Sequence, residues 1–219
     1  MSNATVDLLV GGTLGQWAIA RARPSDVRQV VTDDPALAQL AMSGGFNVCD
    51  SPDWQPSVAG LSIHYQRIIP DAMIESYEGL WNLHPGFLPW GRGFYPAFWA
   101  LWEESPAGAT LHEITPKLDA GPIVEQLKVA VMPNDTGGSL HERVQAAERT
   151  LFDRWWPRIL AGETLPSTAQ PSAEGSIHTR GEFMALKNEG WRTLSSTELA
   201  RLERCLAFPG YGGLDRGDH

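Results

Sequence analysis

Cysteine is nearly missing from this chain. Only Cys49 and Cys205 occur among 219 residues, far apart and in no C-x-x-C spacing, so neither a disulfide framework nor a thiolate zinc site is indicated. Long apolar runs are missing as well: nowhere do about eighteen apolar residues occur together, and no basic region opens onto an apolar core. A soluble, cytoplasmic protein with no membrane partner is therefore expected. Positive charge is scarce. Seventeen Lys and Arg stand against twenty-six Asp and Glu, a net charge of −9 that opposes any function resting on phosphate-backbone contacts, so no nucleic-acid partner is expected. A small phosphorylated ligand remains compatible, because a few Arg or backbone N–H groups can hold its phosphates. No H-x-x-x-H accompanies His112-Glu113, and no metal is expected. Gly11-Gly12-Thr13-Leu14-Gly15 lacks the G-x-G-x-x-G spacing and reads as a turn before a helix.

What is present is an ordinary globular mix. Apolar residues make up 42% and charged ones 20%, which excludes wholesale disorder, and the length suits one domain with a short appended subdomain. Val6 to Val10, Val27 to Thr32, and Phe46 to Cys49 are strand signals, separated by helical stretches around Trp17 to Ala20 and Ala36 to Met42. Ala59 to Tyr65 and Gly79 to Leu83 add two central strands. Strands alternating with helices at this spacing predict βαβ units, hence an α/β fold with an open, mostly parallel, Rossmann-like sheet. Asp33-Asp34 before Pro35 reads as a solvated turn. Apolar residues recurring at three and four from Leu140 to Leu160 predict a long helix, with Ser139 and Glu142 as its capping box and Gly162 as its stop. Residues 163–174 have the composition of a connector. Ser176 to Phe183 is expected as a short strand and Ser195 to Leu206 as a helix capped by Ser196 or Thr197. The division expected is 1–162 as a catalytic domain and 163–219 as linker and small C-terminal subdomain.

In open α/β sheets ligands sit beyond the carboxyl ends of strands, which directs attention to the loop from His84 to Gly93. Asn82 and His84 stand two apart in the strand before it and face one side. Asn offers an N–H to a developing oxyanion, His transfers protons near neutral pH, and a carboxylate such as Asp119 can orient the imidazole. His112 is read as a strand residue or as one that supports the site residues from behind. Trp17, Trp155 and Trp156 fall in helical patterns as packing residues, whereas Trp90, Phe94, Tyr95, Phe98 and Trp99 follow the loop, where an aromatic face can stack on a base or sugar.

Asn82-Leu83-His84-Pro85-Gly86-Phe87-Leu88-Pro89, with Gly108-Ala109-Thr110-Leu111-His112 and Asp119-Ala120-Gly121-Pro122-Ile123, resembles the 10-formyltetrahydrofolate-dependent formyltransferases over roughly Val6 to Leu160. The resemblance implies the formyltransferase fold, 10-formyltetrahydrofolate as formyl donor, and formation of an N-formyl amine. It implies that Asn82 and His84 stabilise the oxyanion, with His84 relaying a proton, and that Asp119 takes the proton from the attacking amine or its water. It also implies a folate cleft lined by Ser62, His64, Tyr65 and Gln66, by Gly86, Phe87 and Leu88, and by Ala120 and Gly121. Relatives usually carry Ser and Leu where this chain has Gly86 and Phe87.

Pro89-Trp90-Gly91-Arg92-Gly93, with Pro96 and Trp99, is similar to enzymes acting on amino-sugar nucleotides and also to formylation domains of peptide synthetases, and Trp90, Arg92, Gly93, Tyr95 and Trp99 are the acceptor-binding candidates. Other acceptors stay open: an amino-acid-type amine such as hydroxyornithine or a carrier-bound aminoacyl group, or glycinamide ribonucleotide. So does another class, a 10-formyltetrahydrofolate hydrolase or an inactive folate-binding protein. The tail from Ser176 to Leu206 resembles the appended region through which amino-sugar formyltransferases dimerise, which implies a homodimer.

Overall fold

A computed structural model describes residues 6–49, 54–171 and 174–214; the opening Ser2-Asn3-Ala4 and part of the 163–174 connector lie outside them. The apolar run that opens the chain becomes β1 (Val6–Val10), buried at every position, as a strand covered on both faces must be. Gly11 follows because the chain must pass the neighbouring strand end closely: its N–H donates to the Ile63 carbonyl at 2.9 Å, and a Cβ there would lie 2.1 Å from the His64 carbonyl oxygen. Helix α1 (Gly12–Arg21), β2 (Val27–Val31), α2 (Pro35–Ser43) and β3 (Val48–Cys49) complete two βαβ units. Asp34 is more than a solvated turn. Its carboxylate accepts from the N–H groups of Ala36 and Leu37, and Pro35 fills the first helical position where no N–H is needed.

Next come β4 (Ala59–Ile63), α3 (Asp71–Ile74), β5 (Gly79–His84), β6 (Arg92–Gly93), α4 (Pro96–Trp102), β7 (Ala107–Glu113) and β8 (Ile123–Val129). Strands β1 to β5 pair in parallel, and the seven-stranded sheet runs β3-β2-β1-β4-β5-β7-β8. The Rossmann-like reading holds.

Helix α5 (Gly137–Leu160) starts three residues earlier than its periodicity suggests. Its cap is a reciprocal pair: the Ser139 N–H donates to Thr136 Oγ1 at 3.1 Å and the Thr136 N–H to Ser139 Oγ at 3.0 Å. The Ser139 and Glu142 box is therefore displaced by one turn. Ser176 to Phe183 is likewise corrected. Only β9 (Ile177–His178) is extended, and α6 (Arg180–Asn188) begins at once because Thr179 and Glu182 close a capping box. A 3-10 turn (Gly190–Thr193) leads to α7 (Ser196–Leu206), whose cap is Ser195, paired with Glu198, not Ser196 or Thr197.

Two compact units result. The first comprises Met1–His84, Leu111–Glu125 and Thr150–Ala169; one of its clusters packs Leu9, Val31, Trp54, Ile69, Tyr77 and Leu80. Under that cluster the Asp7 carboxylate accepts from Tyr77 Oη and the Ser57 N–H, both at 2.8 Å, while Trp54 Nε1 donates to Tyr77 Oη at 2.8 Å. Burial pushes the Asp7 carboxyl above its ordinary range despite those donors. The second unit comprises Pro85–Thr110, Gln126–Arg149 and Gln170–His219, with Phe98, Trp99, Leu140, Val144, Phe183 and Leu202 in its core. Strands β7 and β8 and helix α5 each run from one unit into the other.

Candidate active site

Strand β5 ends in Asn82-Leu83-His84, so pleating sends Leu83 to one face and the two polar side chains to the other. His84 is buried and Asn82 half-buried. The third residue arrives from a turn folded back on the end of β7. Gly121 makes that turn possible, since any Cβ would lie 1.9 Å from the Glu113 carbonyl oxygen, and the Glu113 N–H donates to the Pro122 carbonyl at 2.9 Å. The Ala120 N–H donates to the Lys117 carbonyl at 3.2 Å, and Asp119 takes a left-handed φ of 47°. Asp is among the residues that accept this conformation most readily. Its carboxylate stands 3.7 Å from His84 Nδ1 through Oδ2, and 3.5 Å from Asn82 Nδ2 through Oδ1.

His112 joins them. Its Nδ1 lies 2.7 Å from the Glu113 carbonyl oxygen, which can only accept, so the proton of the neutral ring sits on Nδ1. Nε2 is left as an acceptor, 3.2 Å from Asn82 Nδ2 and 3.7 Å from Asp119 Oδ1. The two imidazoles meet edge to face with centroids 6.0 Å apart. The first unit thus holds one carboxamide, two imidazoles and one carboxylate at the end of one central strand, a set that can donate N–H bonds, relay a proton and accept one. The sequence reading made His112 a strand residue or one that supports the site residues, and it lies on β7 with its ring against Asn82 and Asp119. The signal was its place in G-x-T-x-H, which puts Thr110 and His112 on one face of β7.

Of the expected cleft residues, Ser62 is buried on β4 opposite Asn82 in the register. His64 follows in a left-handed conformation, φ 55°, and its carbonyl accepts from Gln66 Nε2 at 3.0 Å. Tyr65 sets its ring edge-on to Trp54, and burial raises its phenol above the usual value. Gly86, Phe87 and Leu88 belong to the second unit. There Thr110 Oγ1 donates to the Gly86 carbonyl at 2.7 Å and accepts the Leu88 N–H at 3.2 Å, and Gln126 Nε2 donates to the Leu88 carbonyl at 2.7 Å. The loop that departs from the usual Ser-Leu is held by its backbone.

The acceptor candidates also lie in the second unit. Arg92 is occupied, its guanidinium donating twice to Gln170 Oε1, at 2.7 and 3.2 Å. Trp99 is buried and stacks on His178 at 3.8 Å, and Tyr95 packs on Phe183 at 4.2 Å, so both rings have protein partners. Trp90 is half-buried, and Gly93 turns at a φ of 85°. Among the described residues no cluster of metal-ligating side chains occurs, and no helix is long and apolar enough to cross a membrane.

Residues 53–155, which include the whole constellation, match the family model described as formyl transferase. The chain resembles the formyltransferases. The dTDP-4-amino-4,6-dideoxyglucose formyltransferase of Mycobacterium bovis is 32% identical over 127 residues, 58% of this chain and 53% of the relative. The chain therefore spans about half the length of the curated relatives it matches. A 4-N formyltransferase from Francisella tularensis superposes with a TM-score of 0.79 at 20% identity, over 95% of this chain and 90% of that one. A formyltransferase from Anoxybacillus kamchatkensis, solved with UDP-4,6-dideoxy-4-formamido-L-AltNAc and tetrahydrofolate, superposes with a TM-score of 0.62 at 25% identity, over 90% of this chain and 96% of that one. The mostly parallel sheet with flanking helices is the formyltransferase fold, and the solved structures it resembles include sugar N-formyltransferases.

Proposed function

We propose that the chain transfers the formyl group of 10-formyltetrahydrofolate to the primary amine of a nucleotide-linked amino-deoxysugar such as dTDP-4-amino-4,6-dideoxyglucose. The observation that carries the reading is the convergence of Asn82, His84, His112 and Asp119 at the end of β5. As the amine adds, negative charge grows on the formyl oxygen, where Asn82 Nδ2 and a protonated His84 supply N–H donors. The adding nitrogen becomes acidic, and Asp119 takes its proton directly or through a water. His84 returns a proton to the departing folate nitrogen, so one C–N bond forms, one breaks and charge balances. The donor set fits a carbonyl of this kind, which requires N–H groups and a proton acceptor. The relative named for dTDP-4-amino-4,6-dideoxyglucose and the neighbour solved with tetrahydrofolate support the two substrates.

Ser62, His64, Tyr65, Gln66, Gly86, Phe87, Leu88, Ala120 and Gly121 would line the folate, and Trp90, Arg92 and Gly93, backed by Tyr95 and Trp99, the acceptor. We assign residues 1–162 to the transfer chemistry and 163–219 to a linker and appended subdomain, in a cytoplasmic homodimer. Incubation with 10-formyltetrahydrofolate, with and without dTDP-4-amino-4,6-dideoxyglucose, tests the reading. Consumption of the donor only when the amine is present is expected. An equal rate without amine identifies a hydrolase, and no consumption under either condition identifies a binder; each overturns the proposal.

A further inference from the structure

The loop from Pro89 to Phe94 is held by a segment that lies outside the family-matched residues. Ser176 sits between two of its backbone groups: its N–H donates to the Pro89 carbonyl at 3.2 Å, and its carbonyl accepts the Arg92 N–H at 3.0 Å. The Ser176 hydroxyl accepts the Gly91 N–H at 3.0 Å, and the His178 carbonyl accepts the Phe94 N–H at 3.0 Å. The two chains approach so closely that each needs a glycine. A Cβ on Gly93 would lie 2.2 Å from the His178 carbonyl oxygen, and one on Gly175 would lie 2.2 Å from the Pro89 carbonyl oxygen. Arg92 adds its bidentate bond to Gln170 from the same segment.

The clamp is itself anchored. The His178 ring lies flat on Trp99, centroids 3.8 Å apart and planes 11° apart, and its Nε2 is 2.8 Å from Glu103 Oε1. Glu182 reaches Nδ1 at 4.0 Å while closing the cap of α6. Resting on the acceptor reading of Trp90 to Gly93, we propose that Ser176 and His178 are positioning residues. They set the conformation of the acceptor loop and thereby which amine the enzyme accepts. The transfer groups lie in the segment shared with the family, whereas the loop's shape is held by a segment beyond it.

Acceptor KM, kcat and the affinity for tetrahydrofolate are measured for wild type, Ser176→Ala, Ser176→Thr and His178→Ala. Removing the hydroxyl in Ser176→Ala is expected to raise acceptor KM about five-fold, as fits one lost hydrogen bond, with kcat and folate affinity within about two-fold. Ser176→Thr keeps the hydroxyl and is expected to restore KM. His178→Ala is expected to raise KM about ten-fold, and a melting scan establishes that it is folded. An unchanged KM in Ser176→Ala, or a fall in kcat matching the rise in KM, overturns the proposal. Calorimetry with dTDP separates this failure from that of the acceptor reading. Wild type that turns over no amine yet binds dTDP more tightly than Ser176→Ala leaves the positioning role standing while the transferase reading fails. Wild type that neither turns over amine nor binds dTDP removes both.

Discussion

At the site, the Nδ1 proton of His112 is committed to the Glu113 carbonyl, so the ring presents an acceptor to Asn82 and draws the amide nitrogen, not the oxygen, inward. A donor held in place before the reaction costs no reorganisation when charge appears, which is the reason such donors matter. Asn82→Ala should therefore lower kcat by about 10²–10³ with little change in melting temperature, as one lost oxyanion donor typically does. A folded variant with wild-type turnover would remove Asn82 from the reaction. At this scale the sequence was informative where chemistry and spacing coincide: Asn82 and His84 at i and i+2, and Asp119 in D-x-G. It could place His112 on a strand but not the proton of its ring, because that assignment depends on a carbonyl whose direction is set by the turn at Gly121, a tertiary contact with no local pattern. Likewise, Trp99 and Tyr95 follow the loop in sequence, but their neighbours His178 and Phe183 come from the far end of the chain.

Elements were legible in kind and less so at their ends. Helix α5 opens on Gly137-Gly138, residues that weaken a helix, and periodicity alone excludes them. A tertiary demand overrides propensity there: a Cβ on Gly137 would lie 2.1 Å from the Cys205 carbonyl oxygen, and the Gly138 N–H donates to the Ala207 carbonyl at 3.0 Å. For α7 the discriminating signal was present, since only Ser195 has Glu three residues on. Ser195→Ala should cost about 1 kcal/mol in urea denaturation while Ser196→Ala costs a few tenths, and equal effects would contradict the cap. At the start of α5 the buried Asp135 accepts from the Met132 N–H at 2.6 Å, from Ser139 Oγ at 2.8 Å and from Arg143. Burial alone would raise its carboxyl; the bonds from Arg143, Met132 and Ser139 together outweigh that and hold it at about 2. The folded value lies below the ordinary 3.8, so this stabilisation is complete above the ordinary value and is lost as pH falls through about 2. At about 1.36 kcal/mol per unit, Asp135→Asn should lose about 2 kcal/mol at pH 7, a deficit that closes toward the acid end. A deficit independent of pH would show that charge is not its source.

For the whole molecule, the alternation of strands and helices was enough to read the parallel half of the sheet, because each βαβ unit is local. The division into two units was not readable, since each unit is assembled from three separated stretches of chain. The tail carries the consequence. The sequence reading gives it to dimer formation, yet within the second unit Leu202, Cys205 and Leu206 on α7 are buried in the same cluster as Phe98, Leu140 and Phe183. Its apolar surface is already used inside the protomer, and the exposed large apolar side chains among the described residues of this unit include Phe94, Val131, Met132, Ile177 and Met184. A partner copy is then expected to meet exposed side chains such as these, and removal of the tail is expected to unfold the second unit. Burying an aliphatic side chain is worth about 1.5–3 kcal/mol, so losing Leu202 and Leu206 together removes a large part of a typical domain's net stability. Truncation after Leu194 should therefore give a chain whose second unit is cut rapidly by chymotrypsin and whose cooperative melting is lost. A truncated chain that melts cooperatively, and is monomeric by light scattering where the full chain is dimeric, would instead establish the tail as a dedicated dimerisation element.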